Sequence, residues 1–211
     1  MFWRELIIQM RVIGALIMRE GLTQHGRNGI GFLWVVAEPL MFATPVLIMW
    51  SMVRSPYEHG VQMMAMAWSG YLPILLFRHL GGRILGFIRA NAGLLYHRRV
   101  TILDLFLARA TLEVASNVIT AFLVFCVFFL AGELDPPVNM PMFFFGYLMM
   151  IWWCVAVALI MGAISERIEW IDKIWMPYSY MYLVFSGFFY LADWLPPPIR
   201  NVALYQPSLQ A

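Results

Sequence analysis

Charge is what this sequence has least of. Only 12% of its 211 residues are Asp, Glu, Lys or Arg, about half of the roughly 25% usual in soluble domains. A water-soluble fold of this length leaves roughly a third of its unfolded area facing water. A chain that is 62% hydrophobic has too few polar side chains to cover that surface, so the sequence reads as an integral membrane protein. Cysteine is almost missing. Cys126 and Cys154 each stand inside an apolar run, which argues against a disulfide framework or a cysteine metal site. The four histidines, His25, His59, His79 and His97, are isolated, and none lies at metal-ligand spacing from another ligand, so no metal site is expected. No Walker loop, HExxH or GxSxG occurs, and any energy used must come from a partner. Nor is a cleavable signal peptide expected, because charges are spread through the first twenty residues without a small-residue cleavage site.

What is present is a series of apolar runs separated by short charged stretches. Residues 2–24 have helical spacing broken by Arg4, Glu5, Arg11, Arg19 and Glu20, which suits an interfacial helix better than a span. Five spans are predicted, at about 31–53, 61–77, 103–131, 140–164 and 174–191, in a single transmembrane domain covering 1–211. A short turn at 54–60, the acidic turn 132–137 and a mixed-charge loop at 165–173 join them. Pro39 and Pro45 fall in the first span, Gly70 and Pro73 in the second.

The stretch from Arg78 to Glu113 sets the orientation. It holds six of the fourteen Lys and Arg residues, namely Arg78, Arg83, Arg89, Arg98, Arg99 and Arg109, and it lies between spans. Basic loops stay cytoplasmic. With the amino terminus inside, twelve basic residues fall on cytoplasmic segments, and Arg54 and Arg200 alone fall outside. These cations read as topology signals rather than a nucleic-acid surface, since the formal net charge is only +2.

Three carboxylates, Glu38, Asp104 and Glu113, lie near cytoplasmic span ends, with Arg109 placed to pair with Glu113 at i, i+4. Two readings stay open for them: helix-end and interface pairing, or gating and coupling. Glu38 with Asp104 is also the one pair a membrane glycan transferase could use as acid and base. From Trp170 to Trp194 the chain carries ten aromatics, more than two interfacial belts need. Trp175, Tyr178, Tyr182, Phe185, Phe189 and Tyr190 form either a helix-packing and lipid-facing surface or a wall along which sugar rings could stack.

The runs Ile17-Met18-Arg19-Glu20 and His25 to Trp34, followed by Glu38-Pro39, resemble the amino-terminal signature of capsule-polysaccharide export permeases. These are membrane subunits of type-2 ABC transporters of Gram-negative bacteria. The likeness continues through Asn91 to Val100, Leu103-Asp104, Ala108-Arg109, Ser186-Gly187 and Leu195-Pro196, nearly the whole chain. It implies a half-transporter that forms a homodimer and docks a separate ATPase, which would hold ATP and Mg²⁺ while this chain binds no cofactor. It places residues 5–27 and 83–100 at the docking surface, with Arg19, Glu20, Arg27, Arg83, Arg89, Leu94, Leu95, Tyr96, His97, Arg98 and Arg99 as candidates. It also implies a periplasmic re-entrant hairpin at 192–211, a lipid-linked polysaccharide as cargo and periplasmic and outer-membrane export proteins as further partners. The alternative cargoes are O-antigen, a teichoic-acid-like polymer or a small lipophilic compound. The family's sixth span would follow the hairpin, where this sequence ends at Pro207-Ser208-Leu209-Gln210-Ala211. The expectation is therefore a truncated product rather than a five-span variant.

Overall fold

The computed structural model describes residues 2–25, 31–53, 57–58, 60–96, 100–168, 170–186, 188, 196 and 200–201. Among these the chain is mainly helical, with one small ladder and short non-helical connections such as 131–139. The helices are α1 (Phe2–His25), α2 (Gly31–Val53), α3 (Met63–Ile84), the single turn α4 (Phe87–Ala90), α5 (Ile102–Leu130), α6 (Met140–Ser165) and α7 (Ile171–Phe185), with a 3₁₀ turn at Ala92–Tyr96 after α4. Three of them, α2 from Val36, α5 and α6, are long and apolar enough to cross a membrane.

The central element is α3. Fifteen of its 22 residues are buried, because α2, α5, α6 and α7 all pack around it. Toward one end Trp68, Tyr71, Leu72 and Leu75 meet Leu47, Trp50, Val124 and Phe188. Toward the other Leu76, Phe77, Leu80 and Ile84 meet Phe106, Met150, Cys154 and Trp175. Close contact is built into the sequence at Gly81, where a Cβ would stand 1.8 Å from Cζ2 of Trp175. The indole lies flat on the α3 backbone and donates its N–H to the carbonyl of Arg78 at 3.4 Å.

The second predicted span, 61–77, needs correction at both ends. Val61 and Gln62 form β2, antiparallel to β1 (Tyr57–Glu58) across a turn with Gly60 at φ +82°. Of the turn expected at 54–60, Tyr57, Glu58 and Gly60 belong to this small hairpin, and 54–56 and 59 lie outside the described residues. At the other end the helix continues through Arg78, His79 and Arg83 to Ile84, where a basic loop was expected. Phe77, Leu80 and Ile84 carry the apolar stripe on at helical spacing, and their burial holds the turns that the charges alone would expose. The helix stops where Gly86 turns to φ +65°, a region open to glycine at little cost.

The fifth predicted span, 174–191, also shifts. The helix starts three residues earlier, with Asp172 in its first turn, where a carboxylate meets the positive end of the helix dipole. It ends at Phe185, where the Ser186 hydroxyl donates to the carbonyl of Leu183 at 2.7 Å. Fifteen residues reach only about 22 Å at 1.5 Å each, short of the roughly 30 Å hydrocarbon core. The helices α2, α5 and α6 run over the other three expected ranges to within one residue at each end, and α1 runs over residues 2–24. The hairpin region 192–211 lies outside the described residues, save Pro196 and Arg200–Asn201, where the Arg200 N–H reaches the Pro196 carbonyl at 2.9 Å.

α5 begins at a capping box. The Thr101 hydroxyl accepts from the Asp104 N–H at 3.2 Å, and the Asp104 carboxylate accepts from the Thr101 N–H at 3.0 Å. Each satisfies a donor that the first helical turn leaves open. At the far end of the molecule the hairpin is tied to the 131–139 connection. Tyr57 Oη donates to Asp135 at 3.0 Å, and the Gln62 amide bridges Glu133 O and Asp135 N at 3.1 and 3.0 Å.

Candidate functional site

One face of α5 is polar from Arg109 to Thr120. Arg109, Glu113, Ser116, Asn117 and Thr120 recur at spacings of three and four, the period of a helix face, and all are buried. In a bundle otherwise built of Leu, Phe and Met, such a stripe must find partners on neighbouring helices.

Its charged end gathers five side chains from four helices. Arg109 sends one guanidinium nitrogen to Glu20 of α1 at 2.8 Å and the other to Glu113, one turn along, at 2.9 Å. Arg83 of α3 reaches Glu113 at 3.3 Å and also binds Glu38 of α2. The side chains of Arg109 and Glu113 are only 4% and 6% exposed, against 24% and 25% for Arg83 and Glu38. The guanidinium of Arg109 also stands 5.8 Å from the centre of the Phe87 ring of α4. In these ion pairs, among the described residues, three carboxylates share two guanidiniums, with Glu113 as the bridge. Removing charges from water is costly, and such clusters add little net stability over apolar packing. A helix-to-helix charge link at membrane depth is by default a functional hypothesis.

Farther along the stripe the partners are neutral. Asn117 donates its amide to the carbonyl of Leu72 at 3.0 Å and accepts from the Tyr147 hydroxyl at 2.5 Å, joining α5 to α3 and α6. Thr120 donates to the Val36 carbonyl of α2 at 3.4 Å. From α3, the Trp68 indole donates to the Ala121 carbonyl at 3.1 Å. The row therefore ties α5 to α1, α2, α3 and α6.

Of the expected gating residues, Glu38, Arg109 and Glu113 come together here, and two expected docking residues, Glu20 and Arg83, join them. Asp104 is elsewhere. It serves the α5 cap and accepts from the Gln9 amide of α1 at 3.0 Å. The two carboxylates considered for transferase chemistry therefore have separate partner sets. Among the described residues, no group of three His, Cys, Asp or Glu converges as a metal ion would need.

The other docking candidates cluster around α4 and the 3₁₀ turn. Arg19 donates to Asn91 at 3.1 Å. Arg89 holds Asp172 at 2.8 Å and Glu166 at 3.8 Å. Leu94 and Leu95 pack partly against the core, and Tyr96 is 89% exposed. Arg27, His97, Arg98 and Arg99 lie outside the described residues. Of the aromatic wall, Trp175 is buried against Gly81, and Tyr182 stacks on Phe77 at 4.3 Å. Tyr178 is 42% exposed. Nothing is described of the Phe185 side chain, nor of Phe189 and Tyr190.

Sequence reasoning missed Gln9, Asn117 and Tyr147. For Asn117 a signal existed, since it falls at i+4 from Glu113 and continues the Arg109–Glu113 face. Gln9 and Tyr147 offered none, because their roles depend on which helices become neighbours.

Comparison with known proteins then bears on what this arrangement serves. The model of the ABC-2 type transporter family matches residues 11–208. The capsule polysaccharide export inner-membrane protein CtrC of Neisseria meningitidis serogroup B is 36% identical over 208 residues, 99% of this chain and 78% of that protein. The capsule polysaccharide export inner-membrane protein BexB of Haemophilus influenzae gives the same 36% identity over the same shares of the two chains. The polysialic acid transport protein KpsM of Escherichia coli is 29% identical over 126 residues, 60% of this chain and 49% of that protein.

Proposed function

From the capsule polysaccharide export branch of the ABC-2 type transporter family, to which this chain belongs, we propose the following working arrangement. The chain is the permease subunit of an ABC polysaccharide exporter and a multi-pass protein of the inner membrane. Its cargo is a capsular polysaccharide carried on a lipid anchor, as the names of its relatives and the sugar-compatible aromatics of α7 suggest. A separate ATPase binds ATP and Mg²⁺, and this chain needs no cofactor. Two copies close the path about an axis along the membrane normal, since one set of helices without an internal repeat does not enclose a channel by itself. Periplasmic and outer-membrane export proteins carry the polymer onward.

The amino terminus lies in the cytoplasm, as the bias of basic residues requires. In this arrangement α1 lies along the inner leaflet, and α2, α3, α5 and α6 cross. α7 crosses only together with the residues that follow it, and 192–211 form the periplasmic hairpin. The single domain 1–211 works as one body. The ATPase docks on the end that carries α1, α4 and the 3₁₀ turn, with the exposed Tyr96, Arg19 and the basic segment through Arg99 as its contacts. Phe185, Phe189 and Tyr190 continue the cargo path begun by Tyr178 and Tyr182.

The observation that carries the mechanism is the charge link from α1 to α5 through Glu20 and Arg109. A displacement of α1 by the ATPase is passed to α5 by a buried ion pair and then to α2 and α3 through Glu113, Arg83 and Glu38. A cluster with more carboxylates than guanidiniums has alternative pairings of similar energy, which suits a part that must switch between two arrangements.

The test is purification of the tagged protein in mild detergent together with its ATPase, followed by export assays in cells. A co-purifying ATPase near one-to-one stoichiometry is expected. Replacement of Arg98 and Arg99 by Glu should release that ATPase without lowering the level of the chain in the membrane. A chain that emerges alone, or a variant that still exports, would overturn the docking assignment.

A further inference from the structure

A second site lies at the corner where α4 meets the end of α6 and the start of α7. Between α4, the first turn of α5 and the last turns of α6 is an apolar cleft of about 270 Å³, lined among others by Ile84, Phe87, Leu103, Phe106, Leu159 and Ala163. Leu103 and Leu159 are 50% and 43% exposed, so the cleft opens sideways, along the same surface on which the long apolar helices α5 and α6 face outward. A partner dissolved in water has no route to such an opening inside a bilayer, whereas a lipid chain does.

The cleft adjoins a basin of different chemistry. One α4 turn lines both, with Phe87 and Ile88 on the cleft side and Gly86 and Arg89 on the other. The basin measures about 970 Å³ and is lined by Arg89, Arg167, Lys173, Trp170 and Asp172. Among the described residues of the lining, three are cations and one is a carboxylate. Arg89 is held by Asp172 and Glu166, but among the described residues Arg167 and Lys173 make no ion pair, and both are exposed. The two carboxylates that hold Arg89 each keep one buried oxygen, Oδ1 of Asp172 and Oε1 of Glu166, without a hydrogen-bond donor. Trp170, 60% exposed, has the amphipathic ring that settles at the headgroup level.

We infer that this corner binds one anionic bilayer phospholipid of the phosphatidylglycerol type, with an acyl chain in the cleft and the phosphate on Arg167 and Lys173. The uncharged glycerol headgroup leaves that phosphate free for the two cations, whereas a choline headgroup would bring its own cation against them. The bound chain would touch Phe87, whose ring also faces Arg109. The lipid therefore sits next to the buried charge cluster and holds α4 against it.

Native mass spectrometry on the full chain with its co-purified ATPase tests this, titrating phosphatidylglycerol against phosphatidylcholine. The wild type should retain one phosphatidylglycerol preferentially. Neutralising both cations in R167Q/K173Q should lower that preference about 30-fold, at about fivefold for each basic residue near a phosphate surface. Ala163→Phe, which fills the cleft from an exposed position, should lower retention of both lipids. All three substitutions are at exposed sites, so melting in lipid-free detergent should not change and a folding defect would show itself there. Undiminished preference in R167Q/K173Q would overturn the site. Equal competition by glycerol phosphate without chains would reassign it to a free anion, and displacement at the same residues by a polysaccharide-bearing lipid would reassign it to the cargo. Either result refutes the inference.

Discussion

The charge cluster makes a prediction that depends on sign, and it can be worked from the geometry. Arg109 is the more buried of the two guanidiniums and the one that holds both Glu20 and Glu113. Arg109→Met keeps the volume and the Phe87 contact but takes from the buried Glu113 one of its two guanidiniums and from Glu20 the ion pair with α5. Removing one partner of a buried pair costs about 3–5 kcal/mol. Glu113→Gln removes a carboxylate whose Oε1 makes ion-pair contacts with both guanidiniums but no hydrogen bond. Both guanidiniums keep their contacts to Glu20 and Glu38, so the cost is smaller, about 1 kcal/mol. For a chain of this length each kcal/mol lowers the melting midpoint by about 2–4 °C. Arg109→Met should therefore fall by about 10 °C and Glu113→Gln by about 3 °C, followed by tryptophan fluorescence in detergent. The double variant should melt above Arg109→Met alone, because it removes the carboxylate that the methionine strands; in a mutant cycle this appears as a coupling of about 1–3 kcal/mol. Equal losses for the two single variants, or strict additivity, would refute the view that carboxylates outnumber their partners in a shared buried site.

Three further outcomes follow from single contacts. Arg83→Lys should leave the melting point within a few degrees yet reduce export in cells, since an ammonium cannot span Glu38 and Glu113 as a planar fork does; unchanged export would remove Arg83 from the coupling route. Gly81→Ala forces the Trp175 ring off α3 and should cost about 1–3 kcal/mol as overpacking does, with Trp175→Leu restoring most of it, as read by thermal melting of both variants. At the hairpin, the neighbouring carboxylate of Asp135 raises the Tyr57 phenol above its ordinary 10.0. The Tyr57–Asp135 bond is therefore intact below pH 10 and lost as pH rises through the raised value, and Asp135→Asn should bring the phenolate absorbance change at this tyrosine to lower pH.

Much of this architecture is visible in the sequence because hydrophobic runs in a membrane protein have hard limits. The helices α2, α5 and α6 carry almost no charge in their middles, so length and composition place them to within a residue. α3 and α7 are misjudged for one shared reason. Each carries charges inside its helical range, Arg78, Arg83 and Asp172 among them, and charge alone reads as loop. What keeps them helical is contact between distant segments: Trp175 laid on Gly81, and Arg89 reaching across to Asp172. Neither contact has a local pattern. The candidate site divides in the same way. Arg109 with Glu113 is legible from i, i+4 spacing, whereas Glu20 and Arg83, 89 and 30 positions from their α5 partners, look in sequence like an ordinary charge of an interfacial helix and an ordinary member of a basic loop.

That difference has a mechanistic consequence. If Glu20 and Arg83 were surface docking residues, the ATPase would act on α1 and the end of α3 from outside, and the other helices would respond only through packing. Their place in the cluster gives α1 a direct bond to α5. The two routes separate in an experiment with Glu20→Gln, which keeps the helix and its exposed face but weakens the charge-assisted bond to Arg109. Such bonds contribute roughly 1.5–3 kcal/mol, enough to alter a two-state equilibrium by about tenfold or more. On the direct-bond route, Glu20→Gln should keep its ATPase at wild-type stoichiometry, hydrolyse ATP, and export poorly. On the surface route it should lose the ATPase and the export together. Export at the wild-type rate with the ATPase retained would show that neither route runs through Glu20.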